Sequence, residues 1–371
     1  MLFRFFKIKI IYTALLIFLL IFSCAKKKDA DSYVIKGKLS NINAPYFFLA
    51  TESEGTVKVD TIFVDSKGSF LHEGKIAYLS MASLYFDNKS WATSIFIDKG
   101  WNIQIKGDVN RPDLIMVNGG NVNDDLTEFK KSNADLFNAK ADIIQTVIES
   151  DSQVISQNQD MELKNVDFEL INRANTYIQK NPGKIASVVL IQDFFKSPAT
   201  AETLDRKLEL LTGDALRFPL TKELTKYSDM LKQSQIGAPA PAVHLKNGKR
   251  SLDINSFKGK YLYLTFTSRD SLIYESEIPA MMKAYNNLKN KNVKFVTIVI
   301  DAPEGSVSPD SIKWDVYYEH KGWASDALKS YNVTEVPYGI LISPEGRILD
   351  RNIYATDLPV KINELSKSLE E

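Results

Sequence analysis

The feature that most constrains the fold is a strand–helix–strand pattern in the last third of the chain. Two apolar runs, GKYLYL (residues 259–264) and VKFVTIVID (residues 293–301), have strand character, and an amphipathic helical pattern at residues 281–288 separates them. The second run is almost entirely apolar, as in a strand buried within a central sheet. Further helical patterns around residues 311–319 and 358–369 flank a strand hairpin. Alternating strands and helices of this kind predict an α/β three-layer domain.

The preceding residues divide into two regions of different character. Residues 33–120 contain short strand-like runs separated by turn residues, which predicts a small antiparallel β-sandwich or barrel. At residues 124–235, glycine and proline become scarce and apolar residues recur at helical spacing, with one helix expected over residues 161–180. We therefore predict an α+β multidomain protein, with an N-terminal antiparallel β domain, a helical middle region and a C-terminal α/β domain at 236–371.

The first 24 residues have the pattern of an export signal. Basic residues precede an apolar run at residues 10–22, which is too short to span a bilayer comfortably. Ser23 and Cys24 follow this run, so the segment resembles a bacterial lipoprotein signal, in which the Cys receives the lipid. The resemblance implies membrane attachment through Cys24, a tether at 25–32, and a location in the bacterial cell envelope, on the periplasmic side or at the outer membrane. An uncleaved anchor with an incidental Cys is the alternative.

The overall charge argues against one class of partner. Lys+Arg and Asp+Glu both number 46, so the formal net charge is zero. Nucleic-acid binding depends on cationic side chains that neutralise phosphates. We therefore predict no nucleic-acid partner.

Two stretches resemble known families. The first, DTIFVDSKGSFLHEGKI (residues 60–76), is similar to the DUF4369-type domain of unknown function that precedes thioredoxin-like domains in bacterial lipoproteins. The second is the pattern Y-x-V-x-x-V-P-x-x-x-L-I-x-P-x-G from Tyr331 to Gly346, which resembles thioredoxin-like lipoproteins of the thiol-disulfide oxidoreductase and AhpC/TSA-related family. This resemblance implies a thioredoxin-like fold for the last domain. It also implies a cis peptide bond before Pro337, beside the redox dithiol.

The family's two catalytic cysteines would fall on Ser271 and Tyr274. The stretch TFTSRDSLIYESEIP (residues 265–279) keeps the Phe, Glu and Pro of the family pattern F-W-A-S-W-C-x-x-C-x-x-E-x-P, but it has neither Cys. Disulfide exchange requires attack of a thiolate on sulfur, and Cys24 is the one cysteine of the chain. Serine and tyrosine hydroxyls cannot take that role. Redox catalysis by this chain alone is therefore not expected.

Other catalytic chemistry finds no support in the sequence. A nucleophilic Ser271 would need a base, and no motif surrounds any of the three histidines, which are His72, His244 and His320. Glu275 and Glu277 are expected in the first turn of a helix, where a carboxylate suits the helix dipole. Because no Gly-rich phosphate loop or metal-spaced Cys/His set occurs, neither a cofactor nor a metal is predicted.

Three functions remain open. The first is a non-catalytic binding or scaffold lipoprotein that accepts an extended peptide or an envelope protein by backbone pairing. Its groove would be lined by Arg269, Asp270, Tyr274, Val336 and Pro337. The second is a divergent enzyme of the thiol-disulfide oxidoreductase family that acts with a partner's cysteines. The third is a structural envelope protein whose β domain does the binding.

Overall fold

A computed structural model describes residues 31–53, 56–86, 92–150, 154–196, 200–247, 250–269, 271–303 and 312–367. The chain forms two compact units, Met1–Leu190 and Ile191–Glu371. The expected signal and its Cys24 lie outside the described residues. Within the ranges given above, no helix is both long enough and apolar enough to cross a membrane.

The first unit contains a sandwich of two four-stranded sheets. Its strands are β1 (Ser32–Ser40), β2 (Tyr46–Ser53), β3 (Thr56–Phe63), β4 (Ser69–Lys75), β5 (Ser80–Tyr85), β6 (Ala92–Ile97), β7 (Asn102–Asp108) and β8 (Met116–Asn118). One sheet has the order β4-β1-β7-β8 and the other β3-β2-β5-β6. Neighbouring strands are antiparallel except β1 and β7, which run parallel. The predicted antiparallel β domain is confirmed, with one parallel pair that the sequence analysis did not anticipate.

The two sheets share one hydrophobic core. Alternate residues of each strand face inward, so that Ile35 of β1, Phe47 and Leu49 of β2 and Ile103 of β7 are buried in a single cluster. The rings of Phe47 and Phe70 pack edge to face with centroids 4.9 Å apart. Burial of these apolar side chains provides the main driving force for folding of the sandwich.

The Asp-Ser-Lys-Gly motif forms the turn between β3 and β4. The Asp65 carboxylate accepts hydrogen bonds from the backbone N–H groups of Lys67 and Ser69, at 2.8 and 2.7 Å. Gly68 has a φ of +76°, and a Cβ atom at this position would lie 1.9 Å from the carbonyl oxygen of Leu39. The turn therefore requires glycine for both its backbone conformation and its close approach to β1.

Helices follow the sandwich along the chain. They are α1 (Asn121–Ser132), α2 (Ala134–Glu149), α3 (Gln157–Lys180), α4 (Ile185–Phe195), α5 (Ala201–Leu208), α6 (Gly213–Arg217) and α7 (Pro219–Gln233). The predicted helical middle region is confirmed. Helix α3 begins earlier than the expected residue 161, because Ser156 and Gln159 form a capping box. In this box each side chain accepts a hydrogen bond from the other residue's backbone N–H.

The second unit contains a five-stranded sheet and a short hairpin. The hairpin strands are β9 (Leu245–Asn247) and β10 (Arg250–Leu252), and the sheet strands are β11 (Tyr261–Thr267), β12 (Val293–Val299), β13 (Asp315–Tyr318), β14 (Tyr338–Ile342) and β15 (Ile348–Arg351). The sheet order is β13-β12-β11-β14-β15. Strands β11, β12 and β13 are parallel, whereas β14 and β15 are antiparallel to their neighbours.

Helices complete the predicted three-layer α/β arrangement. They are α8 (Ser271–Leu288), α9 (Asp326–Ser330) and α10 (Leu358–Lys367). Each face of the sheet has its own core: Leu264 and Phe266 of β11 belong to one cluster, and Tyr263 of the same strand belongs to the other. All members of the three hydrophobic clusters lie between Tyr33 and Leu365. A chain that starts at Ala25 therefore retains all three.

One predicted helix is wrong. Residues 311–319 were expected to be helical, but Asp315–Tyr318 form β13 at the edge of the sheet. The sequence of this strand, DVYY, is rich in residues that favour strands, and Val316 and Tyr317 are buried. Parallel pairing with β12 decides the conformation of this short apolar run, which periodicity alone does not resolve.

Candidate functional site

The candidate site lies where β11 ends and α8 begins. Strand β11 ends at Thr267, and α8 begins at Ser271. Ser271 is therefore the first residue of the helix, and Tyr274 follows within its first turn. The side chains of residues 271–276, together with all of Asp270, lie outside the described part of the structure. The strand, loop and helix predicted from the sequence are thus in place around the two positions.

Asp301 holds the loop that leads into α8. Its two carboxylate oxygens accept hydrogen bonds from the Ser268 hydroxyl at 2.5 Å and from the Arg269 backbone N–H at 2.6 Å. Asp301 follows β12, the parallel neighbour of β11, so this carboxylate joins the carboxyl ends of two central strands. Asp301 was not among the site residues predicted from the sequence. Its position directly after a buried parallel strand is the signal that could have indicated it, since ligand sites of α/β sheets lie at that edge.

The cis proline lies at the same end of the sheet. The Val336–Pro337 peptide bond is cis, as the family resemblance implied. Tyr338, the next residue, pairs with Phe266 of β11, which places Val336 and Pro337 beside the end of β11. Both residues are partly exposed, and Arg269 is exposed. Three of the five predicted groove residues, Arg269, Val336 and Pro337, therefore lie at one edge of the sheet. Asp270 and the side chain of Tyr274 lie outside the described part of the structure.

Arg351, which was not predicted from the sequence as a site residue, supports the segment before the cis proline. Its guanidinium donates hydrogen bonds to the carbonyl oxygens of Tyr331 at 2.6 Å and Asn332 at 3.3 Å. It also lies 5.5 Å from the ring centroid of Tyr338, within the range of a cation–π contact. Arg351 thus connects β15 to the start of β14 and to the chain that precedes Pro337.

Glu277 has an environment that the sequence analysis did not predict. It was expected in the first turn of the helix, but α8 starts early enough to place it in the second turn. Burial raises the pKa of its carboxyl to about 7, while a hydrogen bond from the Thr267 hydroxyl acts in the opposite direction. Burial and the charge of Glu277 also raise the pKa of Tyr263. The carboxyl therefore lies against the end of β11, and the residue remains partly exposed.

A cluster of three buried polar side chains lies between β11 and β12. The hydroxyls of Thr265 and Thr297 are 2.9 Å apart, and the indole Nε1–H of Trp314 donates to the Thr297 hydroxyl at 2.9 Å. All three residues are buried. Because buried polar groups are costly when unpaired, this chain of hydrogen bonds fixes the relative positions of the three side chains.

The histidines and carboxylates do not form a metal centre in the described residues. His72 lies on β4 of the first unit, with its Nε2 3.5 Å from the Tyr33 hydroxyl. His320 follows β13, and its Nδ1 contacts the Ala302 carbonyl oxygen. Throughout the described ranges, no group of three or more His, Cys, Asp or Glu side chains is placed to hold a metal.

Comparison with known proteins assigns families to two parts of the chain. Residues 33–126 match the family described as Domain of unknown function (DUF4369), and residues 236–351 match the AhpC/TSA family. The thiol-disulfide oxidoreductase ResA of Bacillus cereus is 27% identical over 129 residues, which cover 33% of this chain and 72% of ResA. The chain is a member of the thioredoxin-like thiol-disulfide oxidoreductase family.

Solved structures similar to this thioredoxin-like chain carry related names. The thioredoxin domain of a thiol-disulfide oxidoreductase from Bacteroides vulgatus is 28% identical, with 35% of this chain and 97% of that chain covered and a TM-score of 0.32. A thiol-disulfide oxidoreductase from Bacteroides fragilis is 31% identical, with 34% and 98% covered and a TM-score of 0.30.

Proposed function

We propose that this thioredoxin-like family member is an envelope lipoprotein that binds an extended peptide or protein without performing disulfide exchange itself. One observation carries the proposal: serine and tyrosine occupy the first turn of α8, at the positions of the family's two cysteines. Thiolate attack on sulfur is the essential step of disulfide exchange. A serine hydroxyl is almost un-ionised at neutral pH, and a tyrosine hydroxyl has a pKa near 10.

The edge of the sheet around β11 and β14 supports a binding role. The Asp301 carboxylate fixes the loop by accepting hydrogen bonds from the Ser268 hydroxyl and the Arg269 backbone N–H. Arg351 supports the chain on the other side through Tyr331 and Tyr338. A preorganised surface loses less conformational entropy when a ligand binds. Arg269 adds an exposed cation, and the backbone near Pro337 offers hydrogen-bonding groups to an extended chain.

Lipid attachment at Cys24 is the second part of the proposal. It rests on the apolar run at 10–22 and on the position of the single cysteine directly after Ser23. The lipid would hold the protein at a membrane of the bacterial cell envelope. Metabolic labelling with a fatty-acid analogue should label the full chain and should fail with the Cys24→Ser variant. Equal labelling of both would show that Cys24 is not the attachment site.

An insulin-reduction assay tests the redox part of the proposal. The chain from Ala25 onward contains no cysteine, and we expect it to reduce insulin no faster than buffer with dithiothreitol. The Ser271→Cys/Tyr274→Cys double variant is the matched positive control, because it restores both sulfurs to the same strand–loop–helix frame. Reduction by the unmodified chain above the buffer rate would refute the proposal. Failure of the double variant as well would show that the frame itself no longer supports exchange.

A photo-cross-linking experiment tests the binding part. A photoreactive amino acid in place of Arg269 should form cross-links to envelope proteins, at extended segments of those proteins. The same amino acid in place of Lys289, an exposed residue just beyond the other end of α8, should not. Equal cross-linking from both positions would contradict a groove at the β11–α8 loop. The captured proteins could instead bind only when they carry a free pair of cysteines. If blocking the thiols of these proteins abolishes cross-linking, the result would favour the alternative of an enzyme that uses a partner's cysteines.

A further inference from the structure

Strand β3 has an inverted distribution of polar and apolar side chains. Its outward face carries Val57, Val59 and Phe63, which are 59%, 57% and 70% exposed. The opposite face carries Lys58, Asp60 and, further along the strand, the buried Ile62. Sheets that cover a core on one side normally place apolar residues inward and polar residues outward. Core packing within one copy of the chain therefore does not explain the exposed apolar side chains of β3.

The same strand lies at the edge of its sheet. In the order β3-β2-β5-β6, β3 pairs with β2, and among the described strands none lies on its other side. It extends over eight residues without proline. Every second residue of such a strand directs its N–H and C=O groups away from the sheet, which makes the edge a template for another strand.

The apolar surface continues from β3 onto β2. Tyr46 pairs with Phe63 across the two strands, with ring centroids 6.3 Å apart, and Tyr46 packs against Phe48 at 5.4 Å. We call Tyr46, Phe48, Val57, Val59 and Phe63 the outer β3 surface. Contiguous exposed apolar surfaces of this kind commonly mark interaction sites.

We propose that β3 pairs antiparallel with β3 of a second copy of this chain, joining two four-stranded sheets across a twofold axis. A twofold dimer needs a surface that is complementary to itself. Directly opposed residues of antiparallel strands lie on the same face of the sheet. The outer β3 surfaces of the two copies would therefore be continuous, and the charged inner faces would meet on the other side.

The charges on β3 select one register. With Val59 on the twofold axis, Lys58 of each copy lies opposite Asp60 of the other, so both cross-strand pairs are attractive. A shift of the axis by one residue along the strand places Lys58 opposite Lys58 or Asp60 opposite Asp60, and like charges directly opposed are destabilising. Within one copy the Lys58 Nζ lies 2.8 Å from Asp60 Oδ2. The dimer would extend this pair into a closed group of four alternating charges.

Cysteine cross-linking tests the register in the chain from Ala25, which has no thiol of its own. Under mild oxidation Val59→Cys should form a disulfide-linked dimer, because the two side chains meet at the axis with Cβ atoms about 5 Å apart. Phe63→Cys is the matched control on the same exposed face. In the proposed register its two copies lie roughly 27 Å apart, at about 3.4 Å per residue. Cross-linking at both positions alike, or at neither, would overturn the proposed pairing.

A charge exchange tests the choice of a second copy as the binding partner. Lys58→Asp leaves two acidic groups on the edge, and Asp60→Lys leaves two basic groups. Each variant alone should dimerise about tenfold more weakly, since both cross-strand pairs become repulsive. An equimolar mixture of the two should form a heterodimer with an affinity near that of the unmodified chain. Circular dichroism and thermal unfolding should confirm that both variants fold, because each also loses the ion pair within the strand.

Analytical ultracentrifugation decides between the outcomes. A concentration-dependent dimer that each single variant weakens and the mixture restores supports the proposal. A strictly monomeric unmodified chain refutes it, as does a dimer that neither substitution affects. Binding of the monomer to phosphatidylglycerol-containing vesicles, abolished by Val59→Lys, would assign the outer β3 surface to lipid and would also overturn the proposal.

Discussion

Replacement of Glu277 by glutamine tests the inference that this carboxyl is buried against the end of β11. The pKa of the carboxyl rises from 4.5 to about 7 on folding. The folded protein therefore holds this proton more tightly than the unfolded chain does. Its contribution to stability is fully present below pH 4.5 and is lost as the pH rises through about 7.

The size of the effect follows from the shift. A pKa difference of this size corresponds to about 3 kcal/mol at about 1.36 kcal/mol per unit. Because the side chain is partly exposed and solvent screens its charge, we expect about 2 kcal/mol. Glutamine has nearly the same shape but carries no charge. Glu277→Gln should therefore be more stable than the unmodified chain by about 2 kcal/mol at pH 8, and close to it at pH 4.5.

Differential scanning calorimetry between pH 4.5 and 8 provides the assay. For a unit of this size, 2 kcal/mol corresponds to a shift of about 4–8 °C in the transition of the second unit. Glu345→Gln is the matched control, because hydrogen bonds involving Ser343 and its own backbone lower the pKa of that exposed carboxyl. Its contribution is present above pH 4.5 and is lost as the pH falls through its lowered pKa, so it should leave the pH dependence from pH 5 to 8 unchanged. The same pH dependence in Glu277→Gln as in the unmodified chain would refute the reasoning.

Two further substitutions test the turn of the β domain and the loop at the candidate site. In urea unfolding, Gly68→Ala should lower the free energy of unfolding of the first unit by more than about 2 kcal/mol, whereas Gly100→Ala should lower it by only about 1 kcal/mol. Both glycines have a positive φ, but of the two only Gly100 has open space where a Cβ atom would lie. Equal losses would contradict the steric argument. Asp301→Asn should increase hydrogen–deuterium exchange at the Arg269 amide about tenfold, since it weakens a charge-assisted hydrogen bond. Asp253→Asn, which alters a similar bond to the Asn255 amide, serves as the control and should leave exchange at Arg269 unchanged.

The larger divisions of the fold were predictable because each rests on local patterns. The strand runs at 259–264 and 293–301 are strongly apolar, and the structure places them side by side as β11 and β12. Turn residues such as Gly68 separate the strands of the β domain, and helical spacing identifies the middle region. In each case the local conformational preference agrees with the final structure, which is typical of sequences that fold to one structure.

The errors concern properties that depend on distant residues. Residues 315–318 form a strand through pairing with β12, and β1 pairs antiparallel with β4 on one edge and parallel with β7 on the other. The position of Asp301 beneath the loop at 268–269 depends on the pairing of two strands separated by a whole helix. Periodicity along one segment contains no information about which segment it will contact.

The sequence by itself determined where this chain can supply a thiolate, which is at Cys24 alone. Serine at 271, tyrosine at 274 and a single cysteine at 24 are facts of covalent structure, and no packing can supply a thiolate. Only the tertiary structure decided the surroundings of those positions. It buries the Glu277 carboxyl against Thr267, brings Pro337 beside the end of β11, and leaves the apolar face of β3 exposed at a sheet edge. Burial and pairing are properties of the folded chain, because they arise from contacts between residues far apart in sequence.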